Sequence, residues 1–259
     1  EIKIEASKQS IMNLGLFKSV NYTVENQVVT FFVKEKGYFL AWPEIRQIEN
    51  SRFAYGGAVL VDNLYGRNQK MKVKYKTQQA GEANSGLDDS FSARYSYPRV
   101  KGTGFQLDTE VNRSHENLEI EDNTGSVTDN YDRNTGVLRF STTRLLKDNG
   151  PSKGWRAGSG LSYTHRQFIH KGGTGPSNLF TNGKAVAVSI DTIYDALNDH
   201  LYSNSGSVFF YRLEKGSQVL GSDRAFTKHE FNYQQFQALT QAHENINMRV
   251  SFGVSKVSI

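Results

Sequence analysis

Four lysines stand at alternate positions, Lys70, Lys72, Lys74 and Lys76, with Met71, Val73 and Tyr75 between them. In an extended chain successive side chains point to opposite faces, so this segment reads as a strand with one wet face and one apolar face. The same period of two recurs down the chain. Over 104–112, Phe105, Leu107, Thr109 and Val111 oppose Gln106, Asp108, Glu110 and Asn112. Over 246–254, Ile246, Met248, Val250, Phe252 and Val254 oppose Asn247, Arg249 and Ser251. The pattern predicts strands over 53–63, 69–79, 90–98, 104–116, 131–146, 154–170, 183–194, 206–215, 223–239 and 244–256. Several exceed the 5–6 residues usual in soluble sheets.

The connections sort by length. Asn63–Asn68, Pro98–Thr103 and Lys147–Lys153 are short, whereas Ala80–Asp89, Asn117–Asn130 and Lys171–Asn182 are long and polar. Tight turns at one end and long loops at the other are the habit of an outer-membrane barrel, whose strands need about 9–11 residues with every second one apolar. Only 37% of the 259 residues are hydrophobic, and no run approaches a membrane helix. A mainly β fold follows: an antiparallel transmembrane β-barrel over 53–259, preceded by a partial α/β segment over 1–36 and a connector over 37–52 containing Trp42 and Pro43. A soluble β-sandwich binding module is the alternative. In the first segment, Ile4, Ile11, Leu14 and Phe17 have helical spacing, Gly15 can end the helix, and strands at 19–24 and 27–34 join at Glu25-Asn26. No signal peptide opens the chain, which begins mid-pattern at Glu1 as a mature product or a trimmed segment would.

Catalytic and cofactor chemistry finds little purchase. Gly158-Ser159-Gly160 lies within a strand and lacks the strand–turn–helix setting of a nucleophile elbow. His165 and His170 lack a third ligand for a metal, and no cysteine is present to supply one. Asp108 and Glu110 share a strand face where lumen charges belong. No phosphate loop or nucleic-acid motif occurs. No cofactor, no nucleic acid and no enzyme activity are expected. The net charge of +5 suits an anionic partner such as lipopolysaccharide.

The run NLGLFKSVNYTVENQVVTFFVKEK resembles the second half of a polypeptide-transport-associated (POTRA) repeat, with Gly15-Leu16-Phe17 as its turn and Val33-Lys34-Glu35-Lys36 as its end. Directly after it, FAYGGAVLVDNLYGRNQKMKVKY resembles the first two barrel strands of the BamA/TamA-like outer-membrane insertase superfamily, with Asp62–Arg67 as the most family-like turn. Asp191, Asp195 and Gly206 fit a later strand pair of that family, although Tyr194 and Asn204 replace its Arg and Pro. Barrels of that family close with sixteen strands, whereas ten are legible in this sequence. The family's lumen motif of Arg-Gly-Phe/Tyr is absent, so the chain reads either as a truncated barrel or as a short one.

The resemblance implies outer-membrane protein assembly or translocation, with the barrel in the bacterial outer membrane and the POTRA-like segment in the periplasm. It implies a lateral-gate strand containing Phe53, Tyr55, Gly56, Gly57, Val59, Val61 and Asn63, open to incoming strands of unfolded outer-membrane clients. It also implies a second client-binding edge at Val28, Thr30 and Phe32. Lys70, Lys72, Lys74 and Lys76 would line the lumen. Accessory assembly proteins or a second copy of the chain would cover open edges. Rival expectations are a passive channel and a barrel anchor for an upstream passenger domain.

Overall fold

The computed structural model describes residues 2–13, 16–35, 39–47, 53–79, 87–98, 100, 103–148, 154–175, 178–197, 205–238 and 245–257. It opens with helix α1 (Ile2–Met12), then β1 (Phe17–Glu25) and β2 (Val28–Glu35). Phe17, expected on the helix, opens β1 instead; Gly15 and Lys36 lie outside the described residues. Asn26 and Gln27 turn the hairpin with φ of 50° and 65°. Two successive left-handed residues match the twist of the flanking strands. Tyr22 and Phe31 meet across the hairpin, and Lys8 of α1 lies 5.9 Å above the Tyr22 ring. Val28 and Phe32 pair opposite Glu25 and Asn21 on the other face, where both are exposed.

The rest of the described chain is one antiparallel sheet of eleven strands, each hydrogen-bonded to the next in sequence. They are β3 (Phe39–Gln47), β4 (Phe53–Leu64), β5 (Gln69–Gln79), β6 (Leu87–Tyr97), β7 (Phe105–Glu121), β8 (Val127–Asp148), β9 (Gly154–Gly173), β10 (Gly183–Asp195), β11 (Gly206–Gly216), β12 (Phe226–Ala238) and β13 (Asn245–Val257). The sheet is continuous, so the sandwich alternative, which needs two packed sheets, falls. The last ten strands follow the sequence expectation closely. The first, β3, is a correction: most of the segment read as a connector is strand. Pro43 disguised it, because proline interrupts a strand pattern yet is admitted on an edge strand.

A second correction concerns the long loop expected at Asn117–Asn130. β7 and β8 continue through it, leaving only residues 122–126 as a turn. The Asp122 carboxylate organises that turn, accepting from the Thr124 hydroxyl at 2.6 Å and from the amides of Thr124 and Ser126 at 2.8 and 3.0 Å. These bonds, the Thr124 hydroxyl foremost, hold its pKa below the ordinary aspartate value. A depressed carboxylate pKa contributes order that is present above the ordinary value and lost as pH falls through the lowered one. Amide protection at Thr124 and Ser126, the exchange rate relative to that of an unstructured chain at the same pH, should therefore hold down to about pH 4, near the unperturbed aspartate value, and fall only below it. Loss of protection already near neutrality would contradict the assignment.

Register fixes the two faces. Lys72, Arg94, Glu110, Arg139 and Ser162 form one row across β5–β9. Val73, Ala93, Val111, Leu138 and Tyr163 form the next row, on the opposite face. The polar face is the inside of the curve. Ser162 on β9 donates to Glu214 on β11 at 2.6 Å, and Arg156 on β9 reaches Gln106 on β7 at 3.4 Å. Strands two apart in a flat sheet lie about 10 Å apart, so these side chains converge because the sheet curls toward them. On the outside, Leu161, Ile190 and Phe252 are 55%, 61% and 62% exposed. A continuous apolar surface spanning so many strands is not a water-facing surface.

Candidate functional site

The described sheet has two edges, β3 and β13, each hydrogen-bonded on one side only. The expected gate strand lies one place further in. β4 pairs with β3 on one side and β5 on the other, so Phe53, Tyr55, Gly56, Gly57, Val59 and Val61 are not at an edge. Tyr55, Gly57, Val59 and Val61 face outward, in register with Ile45, Pro43, Ala41 and Phe39 of β3. Asn63 lies near the end of β4, where the ladder to β5 shifts register before the turn. Its φ is 56°, and its side-chain oxygen accepts from the Asn68 amide at 2.8 Å.

The inner side of β4 is a lane of small residues, Ala54, Gly56 and Ala58, in register with Arg46, Glu44 and Trp42 of β3. A Cβ at Gly56 would overlap the Tyr75 carbonyl oxygen, so this position tolerates no side chain. The lane lets β5 reach across β4. Lys74 pairs with Glu44 at 2.6 Å, and Lys72 stands 5.7 Å over the Trp42 ring. The lysine ladder shares the polar face of the sheet with Arg94, Glu110 and Arg139. Two of its members grip the edge strand, while Lys70 and Lys76 have no ion pair among the described residues. Sequence reasoning missed Glu44 and Trp42. Their signal was the alternation of Leu40, Trp42, Glu44 and Arg46 with Phe39, Ala41, Pro43 and Ile45.

Further round the inner face, a cavity of about 180 Å³ is lined by Arg94, Asp108, Glu110, Arg139, Asp191 and Arg212 among others. Asp191 is 2% exposed and holds Arg212 in a two-point grip at 2.7 and 3.0 Å. Glu110 accepts from Asn112 at 2.7 Å and Arg139 at 3.4 Å, and Asp108 accepts from Gln106 at 2.7 Å. Both acids are structural members of a lumen network. The other predicted edge, Val28, Thr30 and Phe32, lies on β2, which among the described strands pairs with β1 on one side and with none on the other.

Long strands, an apolar outside and a charged, cavity-bearing inside define the wall of a membrane β-barrel. A model of the Omp85 superfamily domain matches residues 63–258, and the chain belongs to that superfamily. It is similar in fold to BamA from Haemophilus ducreyi lacking POTRA domains 1–3, with a TM-score of 0.58 at 14% identity over 97% of this chain and 49% of that one. CdiB from Escherichia coli matches with a TM-score of 0.64 at 12% identity, over 98% and 48% of the two chains. CdiB from Acinetobacter baumannii matches with a TM-score of 0.58 at 10% identity, over 95% and 46%. The chain therefore spans about half the length of these structures. No curated protein matches its sequence.

Proposed function

We propose that this sheet sits in the bacterial outer membrane and serves protein insertion or secretion-type transport, without making or breaking covalent bonds. The observation that carries the proposal is β3, which among the described strands pairs on one side only, at the margin of an apolar-outside, polar-inside sheet. Family membership and the similarity in fold to BamA and CdiB support it. Unpaired main-chain groups are costly in lipid, so such an edge is a place where another strand adds. Unfolded outer-membrane clients would template on Phe39–Gln47, rather than on Phe53–Asn63. The outer face would meet lipid and lipopolysaccharide. The open side of β2, with Val28, Thr30 and Phe32, would take extended client segments in the periplasm as part of a POTRA-like domain. Accessory assembly proteins or a second copy would be further partners.

Photo-crosslinkers placed at Leu40, Ile45 and Val59 test the gate. Clients should crosslink from Leu40 and Ile45 on β3 and several-fold less from Val59 on β4. Equal yields at all three, or full transport with β3 tethered shut, would sink the gate. A passive channel is the second reading, favoured by Lys70 and Lys76 on the inner face. It requires an anion preference that falls when both are replaced by Gln.

A further inference from the structure

We propose that Pro43 splits the open edge of β3 into two short pairing segments, so that a strand added there is held by an interrupted ladder and leaves quickly. The inference rests on the reading of β3 as the strand that receives others.

Successive residues of a strand turn their main-chain groups alternately to its two sides. The β3–β4 register runs without a shift from Phe39↔Val61 through Pro43↔Gly57 to Gln47↔Phe53. A ladder that passes a proline undisturbed has the proline nitrogen turned away from it, because proline cannot donate. Pro43 then belongs to the outward set Phe39, Ala41, Pro43, Ile45 and Gln47. The middle of these five has no N–H, and its ring carbons occupy the line along which a partner strand would come. Two donors remain on each side of the break.

The inner side of the same stretch is built in the opposite sense. Glu44, next to Pro43, is tied to Lys74 at 2.6 Å across Gly56, and Trp42 carries Lys72 at 5.7 Å. β3 is thus fastened to its own sheet by side chains on both flanks of the proline, while its outer edge is broken at the centre. Proline on an exposed edge is a device that keeps strands from joining permanently. At an edge that must receive and release strands, it sets dwell time. The fitting partner is an amphipathic strand whose main chain need match only two or three residues at a time, which tolerates varied sequences.

The test uses the full chain in outer-membrane lipid vesicles, with a crosslinker at Ile45 and a urea-denatured eight-stranded barrel as client. Crosslink yield is followed in a pulse–chase. Pro43→Ala restores the donor with little added bulk, and Ala41→Pro combined with Pro43→Ala moves the break by one rung. The single variant should lengthen client dwell about fivefold, equivalent to one main-chain hydrogen bond of about 1 kcal/mol. The double variant should return to wild-type release. Crosslinks that form normally but decay at the same rate in wild type and Pro43→Ala overturn the inference and leave β3 as the receiving strand. Slow release in the double variant overturns it as well. A lack of client crosslinks at Ile45 in wild type and variants alike overturns the receiving role itself, and the inference with it.

Discussion

Asp191→Ala should lower the unfolding free energy of the sheet by about 3 kcal/mol, the lower part of the range for breaking a buried ion pair. Asp191 is 2% exposed and gives both oxygens to Arg212. Removing it leaves a guanidinium without its counter-charge in a polar cavity. Water there softens the cost, because the Arg212 side chain keeps 18% of its exposure. Asp191→Asn keeps an acceptor and should lose less. Asp191→Leu with Arg212→Met removes both charges and should recover much of the loss, since a matched apolar pair avoids desolvating two ions. Urea unfolding in lipid vesicles, followed by the fluorescence of Trp42 and Trp155, reads all three. A loss below about 1 kcal/mol for Asp191→Ala would mean that the pair is solvated as a surface salt bridge is.

Much of this architecture was legible because a membrane-barrel strand must alternate over its whole crossing. Segments such as 69–79 and 246–254 declare themselves by period alone. β3 did not. It has nine residues, the central one is proline, and the proline hides the alternation around it. Missing β3 moves the edge by one strand, which places the expected gate, Gly56 and Gly57 included, on β4. In the structure Gly56 is the gap through which Lys74 reaches Glu44. The ends of β7 and β8 were missed for a different reason. Strand beyond the apolar belt has no requirement for a uniformly apolar face, so HENLEIEDNTGSVTDNYDRN shows only its polarity and reads as loop. Pairings such as Asp191 with Arg212 depend on register, which a sequence leaves open wherever the connection is longer than a tight turn.

Face polarity and edge design answer different demands on one sheet. The outer residues need only be apolar, so Val, Leu, Phe and Tyr interchange along it. The inner residues must satisfy one another, and they do so across strands. Lys74 with Glu44 spans β3 to β5, Arg156 with Gln106 spans β7 to β9, and Ser162 with Glu214 spans β9 to β11. Each of these crosses an intervening strand and so stabilises curvature as well as pairing. The edge strand shares in this inner stitching while its outer hydrogen-bonding side stays open. Under the proposed function, that combination would let one strand stay part of the wall and still accept a neighbour.

Tyr131→Ala should release the far end of β7–β9 without unfolding the sheet. Tyr131 is 1% exposed. Phe180, from the segment after β9, meets it edge-on at 5.0 Å and stacks on Phe168 at 4.8 Å. The His170 ring lies 4.8 Å from Tyr131, and Asp129 accepts from the Gly175 amide at 2.8 Å and contacts His170 at 3.1 Å. Together these contacts fold the segment after β9 back over the inner side of strands that run to 17, 22 and 20 residues, well beyond the roughly 9–11 that cross a bilayer. Truncating a buried aromatic ring costs about 3–5 kcal/mol. Here that cost falls on the protruding end, because Val137–Leu145 keep their own partners on β7 and β9. The expected result is new protease cleavage between residues 174 and 182, with the remaining sheet as resistant to urea as wild type. Phe180→Ala should give the same cleavage at a lower rate. Loss of the whole sheet in Tyr131→Ala would instead make this end part of the cooperative core, and the long strands would then be a folding requirement rather than an appendage.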